Sequence, residues 1–287
     1  MKRPGIVFFL IMFLPGTSVI AGAESILDQV NKRGVVRIGS GTTVPPVNYI
    51  DKDGNWTGFD IDLGDAIAKS LGVKVKRVNV NNKTRIAFLA SGRIDLTISS
   101  MSHTRSRDEQ IDYAEPPYLW SGKLFYAKKG RFTSIAELGG KRIAVVQGSN
   151  AYIAAPQEIA KYTKEKPIMM SFQNNSECFL ALKQGKVDAY TQDTPIIAGV
   201  AGSEGVEYEA VGSIYSPALY GIGVSPNDSK WRDKISFTLQ DLIKNGTYER
   251  IYQKWFGPNG KFPLPINARP RLPEDIFGKD FPFVWPD

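Results

Sequence analysis

Residues 94–107, IDLTISSMSHTRSR, carry the side chains best suited to chemistry. Ile94-Asp95-Leu96-Thr97-Ile98 alternates with period two and is rich in β-branched residues, so it reads as a strand. It gives way to Ser99, Ser100, Ser102 and Thr104 and ends on Arg107. A buried strand thus delivers hydroxyls, loop amides and one guanidinium to its carboxyl end, the edge at which open α/β sheets bind ligands. A guanidinium meets a carboxylate through two parallel charge-assisted hydrogen bonds. The stretch predicts a carboxylate-binding site centred on Ser102 and Arg107. The same residues also suit a plain helix start, with Thr104 as N-cap and Arg107 on a solvated face, and the stretch alone does not separate the two.

The flanking sequence supplies elements to position such a site. Ser25–Lys32 is an amphipathic helix closed by Gly34, Val35–Gly39 a strand, and Ser40–Pro46 a loop at its carboxyl end. Asp53-Gly54 marks a hairpin. Leu63, Ile67 and Leu71 form one helical stripe ended by Gly72, Val73–Val80 is a strand, and Arg85–Ala90 is a short helix before Ser91-Gly92. This β-α-β-α-β order with short loops predicts a mostly parallel sheet with helices on its faces. A second βαβαβ series opens near Lys128. It has a capping box at Ser134–Glu137 and strands at Arg142–Val146, Pro167–Ser171 and Val187–Thr191. Its helices run from the loop Gln147–Asn150 to about Tyr162, over Glu177–Gln184 and, after a break at Gln192–Pro195, over Ile196–Ala201. A strand at Tyr220–Val224, a long helix at Ser229–Asn245 and a shorter one at Tyr248–Trp255 follow.

The predicted fold is therefore a two-lobed α/β architecture with two parallel or mixed sheets, flanking helices and a two-strand hinge. Extended crossings are expected at Lys123–Ala127 and Ala218–Val224, placing 24–123 with 221–287 in one discontinuous lobe and 124–220 in the other. Small-molecule sites favour such a cleft, and hinge closure is its usual response to ligand. The Pro- and aromatic-rich tail after Gly257 reads as an extended strap.

Composition narrows the function. Lys2, Arg3, the apolar run Ile6–Leu14 and Ala21-Gly22-Ala23 form a secretory leader, with cleavage expected after Ala23. Loss of the leader's two basic residues lowers the formal charge from +7 to +5. The remaining charges are interspersed, and the basic stretch KRVNVNNKTR has no aromatic platform, so nucleic-acid binding is not expected. One His and one Cys cannot assemble a His/Cys zinc site. Cys178 precedes Phe179-Leu180-Ala181-Leu182 and should pack as a small hydrophobe. A Ser-His-Asp triad would have to use His103, which lies in no supporting motif. Neither a metal nor a cofactor is implied.

Six segments in order resemble a known family: PPVNYIDKDGNWTGFDIDLGDAIAKSLGV, SGRIDLTISSMSHTRSR, IDYAEPPY, ELGGKRIAVVQGS, GKVDAYTQDTP and NGTYERIYQKWFG. Together they resemble the periplasmic solute-binding proteins of ABC importers for polar amino acids. NKTRIAFLASGRID and the tail look most like the glutamate/aspartate-binding subgroup. The resemblance implies two lobes that close on one amino acid, as a monomer, and then dock on an inner-membrane permease. It places Ser102 and Arg107 on the ligand α-carboxylate, Ser100 on the ligand partly through backbone, and Asp193 on the α-ammonium. Ser149 and Asn150 match the second-lobe loop that closes on the carboxylate, and Arg85 and Asn82 match side-chain contacts of the acidic subgroup.

The pattern also departs from that subgroup. Gly41 stands where the subgroup has an extra Arg, Asn175 where it has a His, and Val47 where an aromatic is common. Arg85 can still pair a side-chain carboxylate, while Asn82 and Asn175 would also suit an amide. Glutamate or aspartate is therefore the expected ligand, with glutamine or asparagine next. The alternative is a periplasmic enzyme on the same fold, such as a cyclohexadienyl dehydratase, in which Asp193 or His103 would have to serve as acid or base.

Overall fold

The computed structural model describes residues 24–201, 207–264, 267–271, 275, 276 and 278, so the expected leader lies outside the described residues. The first half of the chain forms α1 (Ile26–Arg33), β1 (Val35–Ser40), β2 (Thr43–Val44), β3 (Asn48–Ile50), β4 (Trp56–Thr57), α2 (Phe59–Leu71), β5 (Lys74–Asn79), α3 (Arg85–Ala90), β6 (Leu96–Thr97), α4 (Arg105–Asp108) and β7 (Asp112–Lys128). The second half forms β8 (Arg142–Val146), α5 (Ala151–Ile159), β9 (Ile168–Phe172), α6 (Asn175–Lys183), β10 (Ala189–Asp193), α7 (Thr194–Ala201), β11 (Tyr208–Val224), α8 (Ser229–Lys244) and α9 (Thr247–Trp255). Among the described residues no helix is long and apolar enough to cross a membrane.

Local chemistry explains the element ends. Gly34 and Gly72 take left-handed φ of 63° and 71°, so each terminates its helix without a Cβ penalty. The Ser134–Glu137 capping box forms as expected, around a short 3₁₀ turn. Asn174 accepts a hydrogen bond from the Glu177 backbone and starts α6 two residues earlier than the apolar pattern indicated.

The strands run in the order β5-β1-β6-β11-β7-β10-β8-β9. β5, β1 and β6 are parallel, as are β10, β8 and β9. Between the two sets run β7 and β11, each 17 residues long and antiparallel to the other. One end of the pair meets β6 and the other meets β10, so the sheets of the two lobes join edge to edge. The strand expected from Tyr220 in fact begins at Tyr208, and β10 continues through the expected break as far as Asp193. Register shifts at Val211/Tyr215, Tyr215/Ala218 and Tyr220/Ile222 bend the pair as it passes between lobes.

Each lobe has its own core. Ile38, Leu63, Ile67, Leu96, Trp231 and Trp255 belong to the first. In the second, Phe179, Tyr190 and Tyr208 cluster apart from Phe125, Ile143 and Ile159. Cys178 is buried in the former cluster, and burial pushes its thiol pKa up. Each lobe also carries one buried aspartate at the start of a strand. Asp95 accepts from the Arg37 backbone and pairs with Arg33 and Arg37. Asp188 accepts from the Arg142 backbone and pairs with Arg131 and Arg142.

The described part of the tail lies along the first lobe. Phe262 stacks on Trp255, the Ala268 N–H donates to the Tyr252 hydroxyl at 2.8 Å, and the Trp120 N–H of β7 donates to the Ala268 carbonyl at 2.6 Å.

The lobes touch across the cleft. β2 packs against α6 and α7. A Cβ on Gly199 of α7 would strike the Pro45 carbonyl and sit 2.5 Å from the Pro46 ring. A Cβ on Gly148 would lie 3.3 Å from Asn82.

Candidate ligand-binding site

Two cavities, one somewhat larger than the other, lie between the lobes and share Val44, Asn82, Arg85, Ser100 and Asn175. Ser102, Arg107, Ser149, Asn150, Gln192 and Asp193 line the smaller. Gly41, Asn48, Gln173 and Asn174 line the larger. All nine residues expected at the site therefore border this one space.

Arg107 sits on the short helix whose N-cap is Thr104, so the expected helix start forms, but Arg107 does not lie on a solvated face. Its guanidinium is buried, and Nη1 donates to the Ser102 carbonyl at 2.7 Å. Ser102 itself bridges to Tyr220, which fixes the loop against the hinge. Ser100 has φ of 47°, a left-handed conformation rare for serine. That turn aims its N–H at Asp60 Oδ2, 2.7 Å away.

Arg85 is only 3% exposed. Its Nη1 donates to the Ser99 carbonyl at 2.8 Å, and its buried Nε has no partner. Burial, then the nearby Arg107 charge, lowers its pKa to about 9. A buried cation with an unfilled donor is a group prepared for an anion.

On the opposite wall, Ser149 Oγ accepts from the Ala151 N–H at 3.2 Å, so Ser149 helps to open α5 while lining the cavity. Asn150 is the N-cap residue of α5 but makes no side-chain cap bond. Asn175 is fixed by two donors to its carbonyl oxygen, the Tyr190 hydroxyl at 2.7 Å and Gln192 Nε2 at 2.8 Å. Its amide nitrogen is thus the end left for a ligand. Asn81, rather than Asn82, forms the turn, accepting from the Lys83 and Thr84 N–H groups.

Two residues that support the site from behind, Lys123 and Asp60, escaped sequence reasoning. Asp193 does not face the cavity as a lone charge: Lys123 Nζ donates to Oδ1 at 2.9 Å and the Tyr220 hydroxyl to Oδ2 at 2.7 Å. Asp60 lies fully buried behind Ser100 and accepts from Asn48 Nδ2 at 2.6 Å. The signal for Asp60 was its position on α2, three and seven residues before Leu63 and Ile67 and on their buried face. Gly41 also gains a reason, because a Cβ there would strike Asn48 Oδ1, so any larger residue would have to displace the Asn48 side chain that bonds to Asp60. His103 pairs with Asp108 at 2.8 Å, stacks on Tyr113 and lines neither cavity.

Burial raises the Asp60 pKa to about 7, against hydrogen bonds from Asn48 and Ser100 and the charge of Arg85. Its Oδ1 has no hydrogen-bond partner and can carry the proton. Neutral Asp60 leaves Arg85 uncompensated; ionised Asp60 offsets it. Anion binding should therefore weaken as pH rises through about 7. Calorimetry at pH 6 and 8 should show the loss with an acidic ligand, and Asp60→Asn should flatten it; an unchanged slope in that variant would remove Asp60 from the site's electrostatics.

Comparison with known proteins fits this geometry. The model of the bacterial extracellular solute-binding proteins, family 3, matches residues 36–258. This chain belongs to that family. The binding protein is 33% identical to the ABC transporter glutamine-binding protein GlnH of Bacillus subtilis, over 70% of this chain and 73% of that one. It is 25% identical to the glutamate/aspartate import solute-binding protein of Salmonella typhimurium, over 85% of this chain and 82% of that one. Among solved structures it is similar to an ancestral arginine-binding protein bound to arginine, at 38% identity and TM-score 0.72, covering 78% of this chain and 99% of that one. These relatives are named for chemically different amino acids, so the binding protein's own cleft must decide its ligand.

Proposed function

We propose that this chain is the periplasmic binding component of an ABC importer, which closes its lobes about the β7–β11 pair on one polar amino acid and delivers it to an inner-membrane permease. Glutamate or aspartate is the favoured ligand, with glutamine or asparagine next. The observation that carries this reading is the convergence of Arg85 and Arg107 on one space, each bonded to a carbonyl rather than a carboxylate, with Asp193 across from them.

In this reading Arg107, Ser102 and Ser149 hold the α-carboxylate, Ser100 and Asn150 complete its surroundings, and Asp193 faces the α-ammonium. Arg85, Asn82 and Asn175 receive the side chain. Lobe 1 is 24–123 with 221–287, and lobe 2 is 124–220. Because both the backbone-group contacts and the side-chain contacts of the ligand draw on residues of both lobes, closure strengthens binding, which is the differential affinity that shifts an open–closed equilibrium.

Titration calorimetry of residues 24–287, stripped of co-purified ligand, tests the reading with glutamate, aspartate, glutamine, asparagine and arginine. Tight one-to-one binding of the acids, with the amides weaker, is the expected result. Arg85→Ala should weaken glutamate by about 100-fold and glutamine by only a few-fold, since a buried ionic partner is worth several kcal/mol and a neutral one less. Equal losses would mean that Arg85 is not the side-chain selector. Failure of every amino acid to bind would sink the reading, and turnover of prephenate would replace it with the enzyme.

A further inference from the structure

Lys123 is fully buried on β7, yet it borders neither cavity. Its position follows from sheet register, because β7 brings it opposite Asp193 of β10 and Tyr215 of β11 at once. From there it donates to Asp193 Oδ1 at 2.9 Å, while the Tyr220 hydroxyl donates to Oδ2 at 2.7 Å. Asp193, the only carboxylate among the described residues lining the smaller cavity, is thus compensated from behind. Each oxygen keeps one lone pair for the cavity but little net attraction for a cation.

Among the described residues, the other charged residues lining that cavity are Arg85 and Arg107, and each donates to a carbonyl rather than to a carboxylate. The balance is one neutralised anion facing two cations. A ligand's carboxylates are strongly held, whereas its 2-substituent meets a hydrogen-bond acceptor rather than a counter-ion. An ammonium and a hydroxyl both satisfy that acceptor. A 2-oxo group presents a second acceptor and does not.

We infer that Lys123 is a specificity-determining residue, which neutralises Asp193 so that the cleft accepts 2-hydroxydicarboxylates as well as acidic amino acids. This rests on the amino-acid-binding reading above, with Arg107 on the α-carboxylate. Lys123 acts through Asp193 and is a positioning residue, not a ligand contact.

The test is a calorimetric panel on wild-type residues 24–287 with L-glutamate, L-2-hydroxyglutarate and 2-oxoglutarate, repeated for the tightest-binding amino acid and its 2-hydroxy analogue should that not be glutamate. Exchange of ammonium for hydroxyl should weaken binding by no more than about tenfold, and the 2-oxo acid should lose at least about tenfold more. A loss beyond about 1,000-fold on that exchange would show Asp193 acting as a full charge, and would overturn the inference while leaving amino-acid binding intact. Binding of hydroxy acids but no amino acid would instead overturn the amino-acid reading. Lys123→Met should widen the amino-versus-hydroxy gap by about tenfold or more, and Lys123→Met with Asp193→Asn should close it again. The double variant removes both charges of the Lys123–Asp193 pair and strands neither, so it answers the question should the single variant not fold. A gap unmoved in both would sink the assignment of Lys123.

Discussion

Arg107→Ala should weaken amino-acid binding by about two to four orders of magnitude, because removing one partner of a buried ion pair costs about 3–5 kcal/mol. The guanidinium is buried, one nitrogen is tied to the Ser102 carbonyl, and the remaining donors face the cavity shared with Ser149. The fold should survive, since the Ser102 carbonyl keeps a second donor in the Tyr113 hydroxyl at 3.3 Å. Arg107→Lys should recover only part of the loss, because an ammonium cannot reproduce the planar fork. Calorimetry paired with thermal melting checks both halves. Affinity within a few-fold of wild type, in a folded variant, would remove the central assignment.

Gly199→Val should act without touching any residue of the pocket. The substituted side chain would meet the Pro45 carbonyl and the Pro46 ring across the cleft, a clash relieved by parting the lobes. Overpacking of this kind costs about 1–3 kcal/mol, which lowers the closed population and weakens apparent affinity by roughly 10- to 100-fold. Gly199 lies inside α7, where a residue with a side chain is a better helix former. Stability should hold or rise while affinity falls. Small-angle scattering with saturating ligand should show the variant more extended than wild type. Unchanged affinity would mean that this contact does not limit closure.

The parts of this site that were legible in the sequence are those set by short-range chemistry. The run from Ser99 to Arg107 showed a strand breaking into hydroxyls with a cation at fixed spacing, and the glycines after α1 and α2 showed where those helices stop. The hinge was harder. β7 contains Pro116, Pro117 and Gly122, and β11 contains Gly212 and Pro217, all of which read as breaks in a strand. Pairing over seventeen residues overrides them, a tertiary effect that local propensity does not carry. The polar run Thr191-Gln192-Asp193 read in part as a loop, yet it completes a buried strand because its partners are Tyr215, Asn175, Lys123 and Tyr220. Lys123 was invisible as a site residue for the same reason, since its partner is seventy positions away.

The two buried aspartates have a mechanical consequence. Asp95 gathers two arginines within the first lobe and Asp188 gathers two within the second, and neither cluster reaches across the cleft. Each half of the molecule therefore carries its own keel. The jaws can swing apart without breaking either cluster, so resistance to opening falls to the paired ribbons between them, to the contact of β2 with α6 and α7, and to whatever the jaws hold. A scaffold of that kind leaves the dwell time of the closed state to its cargo.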